Sequence, residues 1–434
     1  MRRLFSLVML VTLAACGRGS NDDARVPAEA APMLAAIVPL SECPDDDYSS
    51  CDIRDAACQQ SIAQLAACVR GSEAVKNLQV DVLTEAEYAD VVRQDLAEVA
   101  EPAVPHFDQA LSIFGLALAA GVDREEGIQT HVENLGGVYR PLEKRIIIVD
   151  HDRPADSAYI DGTLLHEFIH SQQDADYDLL NWPNSDPDAE YTFDQVLARN
   201  SLIEGEATFY QYRAEVPRLG LDIAHVDFKS AMSEHLRQEE GQALGSPTVY
   251  NASYVTFPYG FGGELSYFAW LRDGPPGIQA LWAAPPNTSQ AVMSEVFGLD
   301  TPQPGGLEIP APDAPSLVPY TDDVLGAWGT LMFMMLQKAE WTEAMPAALK
   351  WRGDHLWVYT DDNDQKTYAL WLVELASPEA ATMLNGLLEQ VALATEPLTI
   401  QHASTDKRAF ASIGFEIESS PELTDAGKAW LSGD

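Results

Sequence analysis

The sequence predicts an α+β protein that is predominantly helical, with a small sheet beside one helix. Two short runs rich in β-branched residues, Gly137–Arg140 and Arg145–Val149, are joined by PLEK, which is typical of a hairpin. A helical pattern begins at Ser157–Asp161, whose residue types cap helices, and continues through TLLHEFIHSQQDADY. Helical patterns dominate the later chain, where only LWVYT and TYALWLVEL are strand-like. The other predicted helices are Thr84–Val99, Val104–Ala120, Ser266–Arg272, Gly277–Trp282, Asp323–Lys338 and Pro378–Ala394.

The first 40 residues are typical of an export leader and a tether. MRRLFSLVMLVTLAAC has two arginines, an apolar run too short to span a membrane, and then Cys16. Its LAAC end resembles the lipobox of bacterial lipoproteins, which implies a signal peptide at 1–15 and a lipid anchor on Cys16. The alternative is a plain signal peptide followed by a chance cysteine. Residues 16–40, rich in Gly, Ala, Pro, Asp and Ser, predict a disordered tether.

The leader and the charge balance restrict where the protein works and what it binds. The lipobox resemblance implies the bacterial cell envelope, with an anchor expected in the outer membrane, or otherwise a periplasmic or extracellular protein. The chain has 26 Lys and Arg against 67 Asp and Glu, for a formal net charge of -41. Such a surface repels phosphate backbones, so nucleic acid is excluded as a partner.

Four cysteines lie close together in a segment spanning 41–72. Cys43, Cys51, Cys58 and Cys68 form an even local set, which in an exported chain predicts two disulfides. Three pairings are possible, and the sequence does not choose among them. A zinc site is the alternative, but the spacing lacks the close C-x2-C pairs that such sites usually have.

The predicted helix carries GTLLHEFIHSQQD, and within it an H-E-x-x-H pattern. His166 and His170 lie one helical turn apart on one face, where both imidazoles can bind the same metal ion. Glu167 lies beside that face, placed to act as a general base toward an activated water. Leu164, Leu165, Phe168 and Ile169 make the rest of the helix apolar, and a histidine pair there is costly to bury without a partner.

A second predicted helix, Gln195–Glu215, supplies the candidate third ligand. The metzincin pattern is excluded, because Gln173 and Asp176 stand where that pattern needs glycine and histidine. The IEGEA segment instead resembles the N-E-G-x-A element of gluzincins, and this resemblance implies that Glu204 binds the metal. Glu206 is the fallback ligand, with a solvated helix carboxylate as its alternative. Thr208 stands where thermolysin-like enzymes have an aspartate, so no partner orienting the histidines is assigned.

The resemblance extends over most of the chain after Tyr139. HEFIHSQQDADYDL and SLIEGEATFY are similar to motifs of a group of bacterial exported zincins, which also carry P-Y-x-x-G, P-P-x-[ST]-[ST] and G-D-[RH] segments. This chain has FPYGFGGEL, APPNTSQ and WRGDHLWVY. The resemblance implies a zincin-like catalytic region at 73–300 and, after a proline-rich loop, a helical C-terminal lobe at 301–434.

Zinc hydrolases also need a hydrogen-bond donor for the oxyanion. Tyr259 in PYGFGG, expected on a flexible glycine-rich segment, is the candidate, with Tyr254 close by. A packing tyrosine is the alternative interpretation. His225 and His235 are further candidate donors, each also interpretable as an ordinary surface histidine.

These observations predict a membrane-anchored zinc metallopeptidase that acts on a peptide or protein substrate. Zn²⁺ held by His166, His170 and Glu204 activates a water that attacks a peptide carbonyl, with Glu167 as general base. The strand at Arg145–Val149 is expected to be an edge strand that holds the substrate in extended form. One alternative is a non-catalytic lipoprotein that binds a partner or a cell-wall component on the same scaffold. Another is hydrolysis of a non-peptide amide.

Overall fold

The structure is a computed structural model, which covers the part of the chain that carries the motifs. It describes residues 43, 51–98, 105–111, 124–151, 158–182, 191–215, 247–298, 309, 311–337, 339–363, 365–394, 398–415 and 417–433. The predicted signal peptide at 1–15, Cys16 and the tether at 16–40 lie outside these ranges, as do His225 and His235.

The described residues form a mixed α+β fold in which helices predominate, as predicted. The helices are α1 Ala56–Arg70, α2 Glu85–Glu98, α3 Pro105–Leu111, α4 Arg124–Asn134, α5 Ala158–Tyr177, α6 Phe193–Glu215, α7 Pro247–Asp273, α8 Pro275–Ala283, α9 Ser289–Val296, α10 Gly326–Leu336, α11 Trp341–Ala348, α12 Pro378–Ala394 and α13 Pro421–Ser432. The strands are β1 Gln79–Thr84, β2 Gly137–Arg140, β3 Arg145–Asp150, β4 Val318–Asp323, β5 Trp351–Thr360, β6 Thr367–Leu375, β7 Leu398–Ser404 and β8 Arg408–Phe415.

The predicted hairpin is present and belongs to a three-stranded sheet in the order β1-β3-β2. β3 pairs in parallel with β1 and antiparallel with β2. The expectation that Arg145–Val149 is an edge strand is therefore wrong, because both edges of β3 are already hydrogen-bonded within the sheet. The sequence shows only the hairpin partner, whereas β1 comes from more than 60 residues earlier. Among the described strands, β2 is the edge strand beside α5.

Four helices, α1, α5, α6 and α7, pack around the motif residues and share one buried core with the small sheet. The closest approach is between α6 and α7, where Gly205 lies against Gly262. A Cβ built on Gly205 would stand 2.1 Å from the carbonyl carbon of Gly262. Only glycine permits this backbone contact, which fixes α6 against α7 next to Glu204.

The described residues of the region 301–434 differ from the expected helical lobe. They are built around a five-stranded antiparallel sheet in the order β4-β5-β6-β8-β7, packed with α10 to α13. LWVYT and TYALWLVEL do form strands, in β5 and β6. The other strands were not predicted, because β8 has the sequence RAFASIGF, whose small residues have low strand propensity, and it is buried along nearly its whole length. Burial of β8 between neighbouring strands and helices stabilises the strand, although its own sequence has low strand propensity.

The four cysteines form two disulfides, Cys43–Cys68 and Cys51–Cys58. This confirms the disulfide prediction and selects one of the three pairings. The segment does not form a separate unit, since Ile53, Ile62 and the buried cysteines join the same core as α5 and α6. The two bridges hold the segment to α1, and α1 itself packs against the two helices that carry the motifs.

The described helices contain no segment with the length and low polarity that crossing a bilayer requires.

Candidate metal centre

Two histidines and a glutamate from two helices meet at one point. His166 and His170 leave the same face of α5, and the Nε2 atom of each lies 3.2 Å from Oε2 of Glu204 on α6. Both imidazoles are buried, and Glu204 is partly buried. Among the described residues, this is the one group of His, Cys, Asp and Glu side chains whose ligand atoms converge closely enough to hold a metal ion.

The separations fit a tetrahedral metal ion. Two ligands that each lie roughly 2.0–2.1 Å from a tetrahedral zinc ion are about 3.3 Å apart, which matches the observed 3.2 Å between each Nε2 atom and the Glu204 oxygen. Two imidazoles and one carboxylate are also the donor set of zinc sites that keep a fourth position open. The same donors suit other first-row divalent metals.

Hydrogen bonds fix which nitrogen of His170 carries a proton. Gln173 donates from Nε2 to the carbonyl of Ile203, at 2.9 Å, and to Glu206, at 3.0 Å. Because both of these groups can only accept, the Gln173 oxygen must face His170, and it lies 2.8 Å from Nδ1. Nδ1 therefore donates, and the Nε2 of a neutral His170 offers a lone pair toward Glu204. A cation between these two acceptors satisfies both.

His166 has a matching partner on α6. Its Nδ1 lies 3.1 Å from the oxygen of Gln211, whose own Nε2 donates to Glu215 at 3.2 Å. The same argument assigns the donor role to Nδ1 and leaves Nε2 available as a ligand. Each candidate histidine ligand is thus held by a glutamine that is itself bonded to a glutamate.

The charges of the site influence one another strongly. Burial acts to lower the pKa of His170, but the charge of Glu204 and their hydrogen bond overcome it and raise the pKa to about 9. Burial acts to raise the pKa of Glu204, yet His170 and His166 hold it well below its usual range. In the metal-free protein, a proton therefore occupies the position between the acceptors that a metal ion fits.

Glu167 lies beside the centre without joining it. Its carboxylate is buried and accepts a hydrogen bond from the backbone N–H of Tyr139 on the edge strand β2. Burial raises the pKa of Glu167, although His170 and His166 act in the opposite direction. A carboxylate whose pKa is raised above its usual value is a better proton acceptor and can return the proton later.

Tyr259 reaches the centre from α7. Its ring stacks on that of His166, with centroids 5.9 Å apart, and its hydroxyl donates to Glu204. Burial raises the pKa of Tyr259 well above its usual value, helped by the charges of Glu204 and Glu167, so the hydroxyl remains a donor. Tyr259 thus lies beside the centre, but the expectation of a flexible segment around it is wrong. The PYGFGG sequence lies inside a helix, because Phe257 and Phe261 are fully buried there.

Glu206 is neither a ligand nor a solvated carboxylate. It is buried, and it accepts hydrogen bonds from Arg70 at 2.9 Å, Trp282 at 2.7 Å and Gln173 at 3.0 Å. The sequence does not show Arg70 as its partner, because the two residues are 136 positions apart.

The other candidate residues do not join the centre. The side chain of Tyr254 lies outside the described residues, as do His225 and His235. Asp354, in the G-D-H segment, is buried in β5 and accepts from the backbone N–H groups of Leu325 and Gly326 and from two tryptophan indoles. Its role is therefore to hold the start of α10.

The two glutamines were missed as partners of the histidines, although a signal existed. Gln173 follows His170 by three residues, and Gln211 follows Glu204 by seven, so each lies on the same helical face as a candidate ligand. The aspartate expected by analogy is absent at Thr208, and these amides take its place as acceptors for Nδ1. Nothing local in the sequence identifies Arg70.

Comparison with known proteins yields no relative: the chain matches no family model, no curated protein and no solved structure.

Proposed function

We propose that this chain is a zinc-dependent hydrolase that cleaves peptide bonds. His166, His170 and Glu204 would hold the metal, and Glu167 would be the general base. The observation that carries the proposal is the approach of both Nε2 atoms to one Glu204 oxygen, with the buried Glu167 at their side. Zinc, when bound, polarises a carbonyl and acidifies a water.

The remaining steps belong to side chains of this protein. Glu167 accepts a proton from the attacking water and delivers it to the nitrogen of the leaving amine. The N–H of Tyr139 holds the Glu167 carboxylate in position for both transfers. The hydroxyl of Tyr259, kept protonated by burial, turns from Glu204 to the oxygen on which negative charge develops.

An extended substrate is expected to lie along the small sheet. β2 is its edge strand on the side of α5, and Gly137 of β2 lies so close to α5 that a Cβ there would stand 3.2 Å from Glu167. A peptide pairing with such an edge brings its backbone past the general base. We therefore propose β2 as the substrate-binding strand in place of β3, because both hydrogen-bonding edges of β3 are already paired within the sheet.

The two disulfides favour an oxidising compartment for this activity. They are consistent with export, and we propose a cell-envelope location with Cys16 as the lipid-bearing residue. Labelling cells with a radioactive fatty acid tests the anchor: the wild-type protein should be labelled, and a Cys16→Ser variant should not.

The proposed chemistry is tested with the purified full chain. We expect about one zinc per chain in the wild type and in Glu167→Gln, and none in His170→Ala, by elemental analysis. A pool of fluorogenic peptides should be cleaved by the wild type and not by His170→Ala. Glu167→Gln should lose at least 100-fold in kcat, because the base acts in the proton transfers of the reaction.

The outcomes separate the candidate functions. Equal zinc in the wild type and His170→Ala would show that the ligands lie elsewhere. Zinc binding without cleavage of any peptide or amide would favour a binding lipoprotein on this scaffold. Cleavage of small amides but not peptides would favour the amidase alternative.

A further inference from the structure

A chain of buried hydrogen bonds leads from the disulfide-stapled helix α1 to His170. Arg70, the last residue of α1, donates from Nε to Glu206 on α6. Glu206 accepts from Gln173 of α5 at 3.0 Å, and the oxygen of Gln173 accepts from Nδ1 of His170 at 2.8 Å. Every side chain in this chain is buried.

We propose that Gln173 is the positioning residue for the metal ligand His170, and that Glu206 and Arg70 hold Gln173 in that role. The proposal rests on the proposed function, because it concerns how the same centre is kept ready for metal. It also gives the N-terminal cysteine-rich segment a function, namely to supply the cation that balances Glu206.

The geometry leaves Gln173 no second arrangement. If the amide group rotated by 180°, its NH₂ would face His170 and its oxygen would face the Glu206 carboxylate. Two hydrogen-bond acceptors would then face each other. Glu206 in turn fixes the orientation of the Gln173 amide, because the Glu206 carboxylate is buried and held by three hydrogen-bond donors.

Arg70 places a positive charge beside the buried Glu206 carboxylate. Its guanidinium also pairs with Asp176 at 2.6 Å, which ties the end of α1 to the end of α5. Burial acts to lower the pKa of Arg70, but Glu206 and Asp176 raise it, so the guanidinium keeps its charge. Without that charge, a buried carboxylate would lack its cation, which is costly.

We call the chain of hydrogen bonds from Arg70 to His170 the relay. Metal affinity tests it directly, without any substrate. Loss of a partner that orients a metal-binding histidine typically weakens binding about 10–100-fold. We expect that loss in Gln173→Leu, measured as the zinc Kd by competition with a chelating indicator. The visible absorption spectrum of the Co²⁺-loaded protein should change as well, because it reports ligand geometry.

Arg70→Met should weaken zinc binding by at least tenfold, and the double variant Arg70→Met/Glu206→Gln should recover most of it. The glutamine side chain that replaces Glu206 is neutral, and its single oxygen can still accept from Gln173 and Trp282. This rescue distinguishes positioning from loss of fold, since two core substitutions would otherwise be worse than one.

Arg213→Met is the matched control. Arg213 is also buried, and it donates to the carbonyl of Val69, next to Arg70, but the relay does not pass through it. We expect a lower melting temperature and a zinc Kd within about threefold of wild type. An equal loss of zinc affinity in Arg213→Met and Arg70→Met would overturn the relay, because packing alone would then explain both.

The relay and the proposed function fail differently. If the wild type binds zinc and a folded Gln173→Leu binds it equally well, the relay is wrong and the metal centre stands. If the wild type binds no zinc at any pH at which it is folded, the proposed function is wrong, and with it any role of the relay in metal binding.

Discussion

At the scale of single residues, the centre works through the orientation of hydrogen-bond donors and acceptors. Tyr259 shows this most directly, because its one hydroxyl would have two partners in the proposed reaction. In the structure it donates to the proposed ligand Glu204, and in the proposed reaction it would donate to the oxyanion. A phenol can serve both positions only if it stays protonated, and its burial next to two carboxylates ensures this.

Tyr259→Phe is predicted to reduce kcat by about 100–1,000-fold, the range found when one oxyanion donor is removed. Zinc content should stay near one per chain, because the ring that stacks on His166 is retained. Steady-state kinetics together with elemental analysis check this. An unchanged kcat would make Tyr259 a packing residue.

The same scale shows how far the sequence could predict the site. His166, Glu167 and His170 follow from helical spacing alone, since positions one turn apart share a face. The assignment of Glu204 came from the resemblance to gluzincins, because the local sequence does not indicate which carboxylate of α6 faces α5. Arg70 could not be predicted, as its contact with Glu206 exists only after α1 packs on α6.

At the scale of elements, the contact between α6 and α7 determines where Glu204 stands. Gly205 and Gly262 touch backbone to backbone, and the aromatic rings of Phe257 and Phe261 stack near Trp328 to hold α7 in the core. This packing explains why a segment rich in glycine, with Pro258 inside it, is helical. Burial in the core outweighs the low helix propensity of the glycines and the proline in this segment.

Gly205→Ala is predicted to lower the free energy of unfolding by about 1–3 kcal/mol or more, because the new methyl group meets backbone atoms that cannot rotate away. Gly386→Ala in α12 is the matched control, since a Cβ there meets nothing within 4 Å. That control should gain about 0.5–1 kcal/mol. Urea denaturation measures both. Equal stability of the two variants would contradict the close helix contact.

A second element-scale feature is a set of buried aspartates where three helices begin. Asp194 of α6 accepts from the N–H and hydroxyl of Ser289 at the start of α9, and Asp323 and Asp354 face it from β4 and β5. Burial raises the pKa of Asp194 to about 7. The bonds from Ser289 oppose this rise, whereas the charges of Asp354 and Asp323 add to it. The folded protein therefore holds this proton more tightly than the unfolded chain does.

Because the folded pKa is raised, this contribution to stability is complete below about pH 4 and is lost as pH rises through about 7. Between pH 5 and pH 8, the wild type should lose on the order of 3 kcal/mol of unfolding free energy from this group. Asp194→Asn, which keeps an acceptor for Ser289, should lose correspondingly less. The exposed Asp425→Asn should follow the wild type. Identical pH slopes in all three proteins would refute the assignment.

At the scale of the whole molecule, contacts distant in sequence assemble the centre. The stapled segment, the small sheet and the two motif helices share one core, whereas the larger sheet builds a second one. In the first region the sequence could predict the β2–β3 hairpin and the two motif helices, because their patterns are local, but not β1, which pairs with β3 from far along the chain. It could not predict the second, since β4, β7 and β8 depend on partners elsewhere and have weak local patterns: β4 reads VPYTDD.

The two disulfides should therefore contribute unequally. Cys43–Cys68 closes a loop with a sequence separation of 25, and Cys51–Cys58 one of 7. By loop-closure entropy, their removal should cost roughly 3.5 and 2.5 kcal/mol of unfolding free energy. Only the longer bridge ends two residues before Arg70, so only its removal should also weaken zinc binding.

The measurement compares Cys43→Ser/Cys68→Ser with Cys51→Ser/Cys58→Ser, each by urea denaturation and by zinc competition. We expect the first pair to lower both stability and zinc affinity, and the second to lower stability alone. Equal zinc affinity in both double variants would show that the Cys43–Cys68 disulfide does not influence the metal centre. It would leave Arg70 held by α1 packing alone, because the core side chains of that helix remain in place in either variant.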